Sequence, residues 1–206
     1  KLFEMQTHKV AVKCIYVDGN YILTGGEDGI VRVWTRRTHE LVMQIPAHHT
    51  NVREVFADLN KPNLLYSCGE DKELICYDMK LQKRQNTQKI NNGVLTGIAQ
   101  KIEKENEIIS VGINCNLCVW DFYQSKPIKE IDLGDRMMTI KISHSGKYFA
   151  LGSCRGELWL FKLPECEFIS KSQGHSREIN RLQWSPDDKQ IVSVSSDSSL
   201  CIWNIY

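Results

Sequence analysis

No charge of one sign dominates this chain. The 26 Lys and Arg stand against 25 Asp and Glu, a formal net charge of +1 over 206 residues. The broad basic field of a nucleic-acid binder is therefore missing, and no specific nucleic acid is expected as a partner. No apolar run approaches the ~18–20 residues that span a bilayer, so no membrane partner is expected either. The opening Lys1-Leu2-Phe3-Glu4-Met5 lacks an apolar signal core and an initiator Met. It reads as a fragment or a processed start rather than as a secretion signal. What the chain does contain is 42% hydrophobic residues, enough to build a real core, and 8 Cys. Eight Cys would make a disulfide framework only in a much shorter chain.

A repeat organises the sequence. Glu27-Asp28-Gly29-Ile30-Val31-Arg32-Val33-Trp34 aligns with Glu70 to Tyr77, Ile113 to Trp120, Cys154 to Phe161 and Ser196 to Trp203. The closing aromatics fall at 34, 77, 120, 161 and 203, in steps of 43, 43, 41 and 42 residues. One and three residues before each aromatic stand apolar side chains, Val33, Cys76, Val119, Leu160 and Ile202, then Val31, Leu74, Leu117, Leu158 and Leu200. A spacing of two puts both on one face of a strand. A second strand lies upstream across a tight turn such as Glu27-Asp28-Gly29, and a third lies further upstream, as in Val12 to Val17. A fourth follows the aromatic, as in Leu41 to Ile45. Four short antiparallel strands every ~40–45 residues describe a propeller blade, so the fold class is all-β.

The spacing and the residues Gly174-His175 and Trp120-Asp121 resemble the WD-repeat (Trp-Asp) family across essentially the whole chain. The resemblance implies a β-propeller of four-stranded antiparallel blades with a buried polar relay from a turn Asp through His and Ser or Thr to Trp. The matching residues are His8, Thr24, Asp28 and Trp34 in the first copy and His175, Ser193, Asp197 and Trp203 in the last. His48, Ser67 and Asp71 match in the second copy with Tyr77 for Trp, and Ser110 and Trp120 in the third. The fourth has Leu151, Arg155 and Phe161, which leaves no network. An outer strand in 1–7 and blades over about 8–47, 48–89, 90–134, 135–174 and 175–206 make about five blade equivalents. That count reads as part of a larger seven-bladed ring.

His175, Ser193 and Asp197 have the residue types of a hydrolase triad. The same set recurs in the first copy, and no nucleophile elbow or oxyanion signature accompanies it, so no catalytic residue is expected. Cys115-x-x-Cys118 has half the spacing of a zinc site, but Cys118 falls on an ordinary strand face and no second pair follows. No metal and no cofactor are expected, and the Cys read as free core thiols. Lys80, Lys83, Arg84 and Lys89 on the rim, and the stretch Lys101 to Glu107, read as solvated surface.

In the family, partners dock on the face made by the loops before each first strand and the turns before the relay Asp. Carried over, that face comprises Lys9, Glu27, His49, Asn51, Glu70, Asp135, Arg136, Arg177 and Ser196. Mixed charges and amides there suit peptide or protein surfaces. The resulting expectation is a non-enzymatic interaction scaffold in the cytoplasm. The degenerate blades and the closing Cys201-Ile202-Trp203-Asn204-Ile205-Tyr206 resemble cilia- and flagella-associated WD-repeat proteins. That points to a cytoskeletal or axonemal assembly, with tubulin or axonemal subunits as partners. One alternative is the substrate-recognition module of a ubiquitin-ligase complex, although no Trp-Asp is followed two residues on by Arg. Another is the propeller segment of an enzyme whose active domain lies elsewhere.

Overall fold

The computed structural model describes residues 8–90, 93–102, 104 and 106–205, so the outer strand expected in 1–7 lies outside the described residues. Among the described residues every regular element is a β-strand. The chain forms two compact units, 1–95 and 96–206.

The first unit holds two sheets. One comprises β1 (Val12–Val17), β2 (Tyr21–Gly26), β3 (Ile30–Thr35) and β4 (Leu41–Pro46). The other comprises β5 (Val52–Ala57), β6 (Leu64–Gly69), β7 (Glu73–Asp78) and β8 (Lys83–Lys89). Each is antiparallel with its strands in chain order, the meander of a propeller blade. β3 and β7 carry unbroken buried runs, Val31 to Trp34 and Leu74 to Cys76, because both faces of these inner strands are covered. Val52, Val55 and Ala57 of β5 pack with Leu23, Val31 and Val33 in one buried cluster that joins the two sheets.

The second unit begins within β9 (Leu95–Gln100), which pairs in a sheet with β10 (Glu107–Gly112), β11 (Asn116–Asp121) and β12 (Lys129–Asp132). A further four-stranded sheet follows: β13 (Met137–Ile142), β14 (Tyr148–Ser153), β15 (Glu157–Lys162) and β16 (Glu167–Gln173). The last sheet has three described strands, β17 (Ile179–Trp184), β18 (Gln190–Ser195) and β19 (Leu200–Asn204). Ile179, Leu182 and Trp184 pack with Ala150, Leu158 and Leu160, repeating the joint of the first unit. The architecture is all-β, in antiparallel propeller blades.

Two backbone devices recur. Each of β1, β5, β13 and β17 is irregular one residue after its start, at Val12/Cys14, Val52/Glu54, Met137/Thr139 and Ile179/Arg181. Such bulges bend and twist the strand where it enters the blade. The turn between the second and third strands always contains a left-handed residue: Gly29, Lys72, Cys115, Gly156 and Ser198. In the first four of these the carbonyl accepts an N–H from the chain entering the next blade. The donors are His48 to Gly29 at 2.9 Å, Ile90 to Lys72 at 2.9 Å, Leu133 to Cys115 at 2.8 Å and His175 to Gly156 at 3.2 Å. Gly29 answers to space as well as to φ, since a Cβ there would stand 2.1 Å from the His48 carbonyl oxygen.

Candidate functional site

The polar residues expected at each blade come together to different degrees. In the last blade, His175 leads into β17, Ser193 sits mid-β18 and Trp203 sits on β19. Asp197 accepts from His175 Nδ1 at 3.0 Å, His175 Nε2 meets Ser193 Oγ at 2.7 Å, and the Trp203 indole donates to Ser193 Oγ at 2.8 Å. A carboxylate can only accept, so Nδ1 carries the imidazole proton and Nε2 accepts the Ser193 hydroxyl. Ser199, which the repeat alignment does not single out, donates to Asp197 at 2.6 Å and lies 2.9 Å from His175 Nδ1. That hydroxyl, then the Ser176 and Ser199 N–H groups and His175, hold the Asp197 carboxyl far below the usual carboxylate range.

In the first blade, Asp28 lies 3.1 Å from His8 Nδ1, His8 Nε2 lies 3.0 Å from Thr24 Oγ1, and the Trp34 indole donates to Thr24 Oγ1 at 3.1 Å. Arg32 enters this relay unannounced by the repeat: its guanidinium donates to Asp28 at 2.9 Å and also touches His8 Nδ1. Burial first, and then the Arg32 charge, push the His8 pKa down. Burial alone would raise the Asp28 carboxyl, but hydrogen bonds from Arg32, the Ile30 N–H and His8 outweigh it and hold it low.

The second blade keeps half of the relay. His48 meets Asp71 at 2.9 Å and Ser67 at 2.9 Å, and the His48 bond outweighs burial to lower the Asp71 carboxyl. Tyr77, expected in place of Trp, does not join: among the described residues no hydrogen bond links it to Ser67, and it packs against the apolar cluster of the first unit. An indole carries its N–H on the flank of the ring, whereas a phenol carries its hydroxyl at the tip, out of reach of a strand neighbour. In the third blade Trp120 donates to Ser110 at 2.8 Å.

The fourth blade replaces the relay with hydrocarbon. Leu133 stands at the His register, Leu151 at the Ser register and Phe161 at the Trp register, and all three join one cluster with Phe149. Phe149 and Phe161 stack with ring centroids 4.9 Å apart, and Phe168 meets Phe161 edge-on at 5.5 Å. A chain of buried polar groups stabilises only when every member is satisfied, and an apolar set of similar bulk needs no partners.

The expected docking residues separate by exposure. In the first unit Lys9, Glu27 and His49 are exposed, and Asn51 and Glu70 are half-buried and bonded to one another at 3.1 Å. Glu27 also pairs with Lys13 at 2.6 Å, and Glu70 with Arg53 at 3.3 Å. In the second unit Arg136 and Arg177 are exposed and Ser196 is half-buried, accepting from Asn180 at 2.9 Å. Asp135 departs from the expectation. It is buried, accepting from the Arg136 N–H at 2.8 Å and the Cys154 thiol at 3.3 Å, because its carboxylate caps its own turn instead of facing solvent.

Of the surface readings, that of Lys101 is corrected, whereas Arg84 is exposed as expected and makes bonds of its own. Arg84 bridges the two sheets of its unit, donating to the Pro46 and Ala47 carbonyls at 3.0 and 2.6 Å. Lys101 is buried, with its ammonium on Glu107 at 2.7 Å and on the Pro164 carbonyl at 3.0 Å. Among the described residues no group of three or more His, Cys, Asp or Glu could hold a metal ion. Cys118 is buried on β11, where burial pushes its thiol up to about 11. A groove of about 230 Å³ lies along Leu158, Leu160, Ile169, Trp203 and Ile205, without a titratable side chain in its lining. No helix of the described residues is long and apolar enough to cross a membrane.

Antiparallel blades at a 41–43-residue spacing, crossed by an Asp–His–Ser/Thr–Trp relay, have the pattern of WD repeats. The family profile described as "WD domain, G-beta repeat" matches residues 1–35 and 166–204, the two stretches that hold the complete relays. The chain is 25% identical over 202 residues to "Cilia- and flagella-associated protein 52" of Sus scrofa and equally to that of Homo sapiens, covering 95% of this chain and 32% of each relative. It is 22% identical over 204 residues to "Serine-threonine kinase receptor-associated protein" of Rattus norvegicus, covering 95% of this chain and 55% of that protein. The chain thus spans about a third of the length of the cilia- and flagella-associated relatives it matches.

Proposed function

We propose that this chain is a non-catalytic protein-docking module of a ciliary or flagellar cytoskeletal assembly, with axonemal subunits or tubulin as its partners. The observation that carries this reading is the similarity to "Cilia- and flagella-associated protein 52", which runs over 95% of the chain instead of being confined to one repeat. Chemistry at the site favours a non-catalytic role. The His–Ser–Asp set of the last blade imitates a triad, but its serine oxygen also accepts a tryptophan indole, and the arrangement recurs at equivalent blade positions as His48–Ser67–Asp71 and, with threonine, as His8–Thr24–Asp28. Docking falls to the exposed members of the loop face, Lys9, Glu27 and His49 in the first unit and Arg136 and Arg177 in the second. Rim charges of this kind act on encounter rate and partner choice more than on raw affinity.

Affinity purification of the complete polypeptide from ciliated cells, with mass spectrometry, tests the proposal. Recovery of tubulin and axonemal components is the expected outcome; recovery of a cullin and its adaptor instead would overturn it. Arg177→Glu is expected to weaken capture while leaving the melting temperature in place, since Arg177 is exposed.

A further inference from the structure

The first unit has two unlike ends. In an antiparallel meander every second turn falls at the same end, so the β1–β2, β3–β4, β5–β6 and β7–β8 turns lie opposite those that hold Gly29 and Lys72. Tyr16 near the end of β1 and Phe56 near the end of β5 meet with ring centroids 6.5 Å apart, which sets that end of one sheet beside the same end of the other. Main-chain bonds tie the turns in pairs: the Arg36 N–H donates to the Asn20 carbonyl and the Met79 N–H to the Asn63 carbonyl, both at 2.8 Å.

Charge is arranged differently at the two ends. Toward the relay turns the cations are paired, Lys13 with Glu27 at 2.6 Å, Arg53 with Glu70 at 3.3 Å and Lys89 with Glu73 at 3.4 Å. At the hairpin end the aspartates are turned onto their own loops. Asp18 accepts from the Asn20 and Tyr21 N–H groups at 2.7 and 2.6 Å, and Asp78 from those of Lys80 and Leu81 at 2.8 and 2.9 Å. Buried Asp58 accepts from the Asn60 and Lys61 N–H groups at 2.9 Å and from the Tyr66 hydroxyl at 3.0 Å. Glu40 is exposed and accepts from the Thr38 hydroxyl at 3.0 Å. Arg36, Arg37, Lys80 and Lys83 are exposed, and among the described residues no carboxylate pairs with them. The same turns present Leu59 and Leu81, 54% and 56% accessible.

An anionic partner would therefore gain charge-assisted contacts here without displacing an internal carboxylate. A phosphate polymer would answer the cations and leave both leucines bare. A segment that mixes acidic and apolar side chains answers both. We infer that the hairpin end of the first unit docks an acidic peptide segment carrying apolar side chains, at a surface separate from the loop face. The inference goes beyond the ciliary reading and does not rest on it.

Fluorescence anisotropy of the complete polypeptide with a fluorescein-labelled synthetic peptide of alternating glutamate and leucine pairs tests the assignment. Saturable binding is expected, weakening as salt is raised because exposed charges are screened beyond ~10 Å at 0.1 M. Arg37→Glu with Lys80→Glu is expected to weaken it by about tenfold, since each reversal removes one exposed pair and adds a repulsion. Leu59→Ser with Leu81→Ser is expected to weaken it as well, and both double variants are expected to keep the parent melting temperature. Lys9→Glu with Lys72→Glu, matched in charge but at the opposite end, is expected to bind as the parent does. Absence of saturable binding, or an equal loss in the Lys9 and Lys72 variant, would overturn the assignment. Single-stranded DNA that competes with the peptide and binds more tightly would assign the surface to a phosphate polymer and overturn the acidic peptide. Neither result touches the recovery of axonemal components, so the two readings fall separately.

Discussion

Lys101 and Glu107, at the two ends of one inter-strand turn, form an ion pair of 2.7 Å whose side chains are only 7% and 14% exposed. Burial would raise the Glu107 carboxyl, but Lys101 and Lys104 together hold it below its usual value. The Lys101 ammonium also donates to the Pro164 carbonyl, so one charge ties the turn of the third blade to a loop of the fourth. Removing one partner of a buried pair strands the other, at a cost of roughly 3–5 kcal/mol. Lys101→Ala is expected to cost about 3 kcal/mol in chemical denaturation, toward the low end because Glu107 keeps Lys104 at 3.0 Å. Lys101→Met with Glu107→Leu is expected to recover most of that loss.

The relays provide a second comparison, in calorimetry. His48→Ala or His175→Ala leaves a buried hydroxyl and a carboxylate short of a partner, so each is expected to destabilise by ~1–3 kcal/mol. Asp197→Ala is expected to lower the melting temperature in the same sense. Arg155→Ala, at the Asp register of the blade that has no relay, is expected to leave melting unchanged, because its side chain is largely exposed.

Acid sensitivity follows from the directions of the pKa shifts. The Asp28 and Asp71 carboxyls are held low in the folded chain. A depressed carboxyl binds its proton less readily folded than unfolded. Its contribution is therefore complete above the unfolded value of ~3.9 and is lost as pH falls through the folded one. His8 is also depressed, so its neutral form is favoured by folding and stability falls as pH drops below ~6.5. The melting temperature is expected to decline gently on acidification below about pH 6.5 and steeply below about pH 4, with the steep limb reduced in Asp71→Asn.

Left-handed turns set up a third test. Lys72 and Ser198 hold φ of 68° and 66°, values that cost a non-glycine residue roughly 1–2 kcal/mol. Lys72→Gly and Ser198→Gly are expected to raise the denaturation midpoint, each by up to about 1 kcal/mol. Gly29→Ala is expected to lower it, because its methyl would meet the His48 carbonyl.

How much of this was legible in the sequence depended on whether a residue's role repeats. The strands could be placed because apolar pairs such as Val31 and Val33 recur at 74 and 76, 117 and 119, 158 and 160, and 200 and 202. The relay could be placed where all of its residues survive. Hidden instead were side chains that act once. Arg32 occupies a register held by Ile75, Cys118, Trp159 and Cys201, so no alignment marks it as a partner of Asp28. Lys101 lies in a charge-rich stretch that reads as solvated surface, and only tertiary packing buries it. Asp135 looked like a surface acid because its inward turn depends on the Arg136 N–H and on Cys154, two contacts no spacing announces. Leu151 and Phe161 were read as the loss of a network, whereas together with Leu133 they form a hydrocarbon replacement for it.

The grip between each turn carbonyl and the entry to the next blade acts as a molecular ruler. From Gly29 to His48 is 19 residues, from Lys72 to Ile90 is 18, from Cys115 to Leu133 is 18 and from Gly156 to His175 is 19. Length is thus measured out over the hairpin of the third and fourth strands, and a residue inserted there would pull the next donor off its acceptor. The other half of the repeat is gripped less evenly, since the bonds from Glu27 to Ala11, Glu70 to Asn51, Cys154 to Arg136 and Ser196 to Glu178 span 16, 19, 18 and 18 residues. That is where the lengthened turn from Lys101 to Glu107 sits, and where further insertions would be absorbed at least cost.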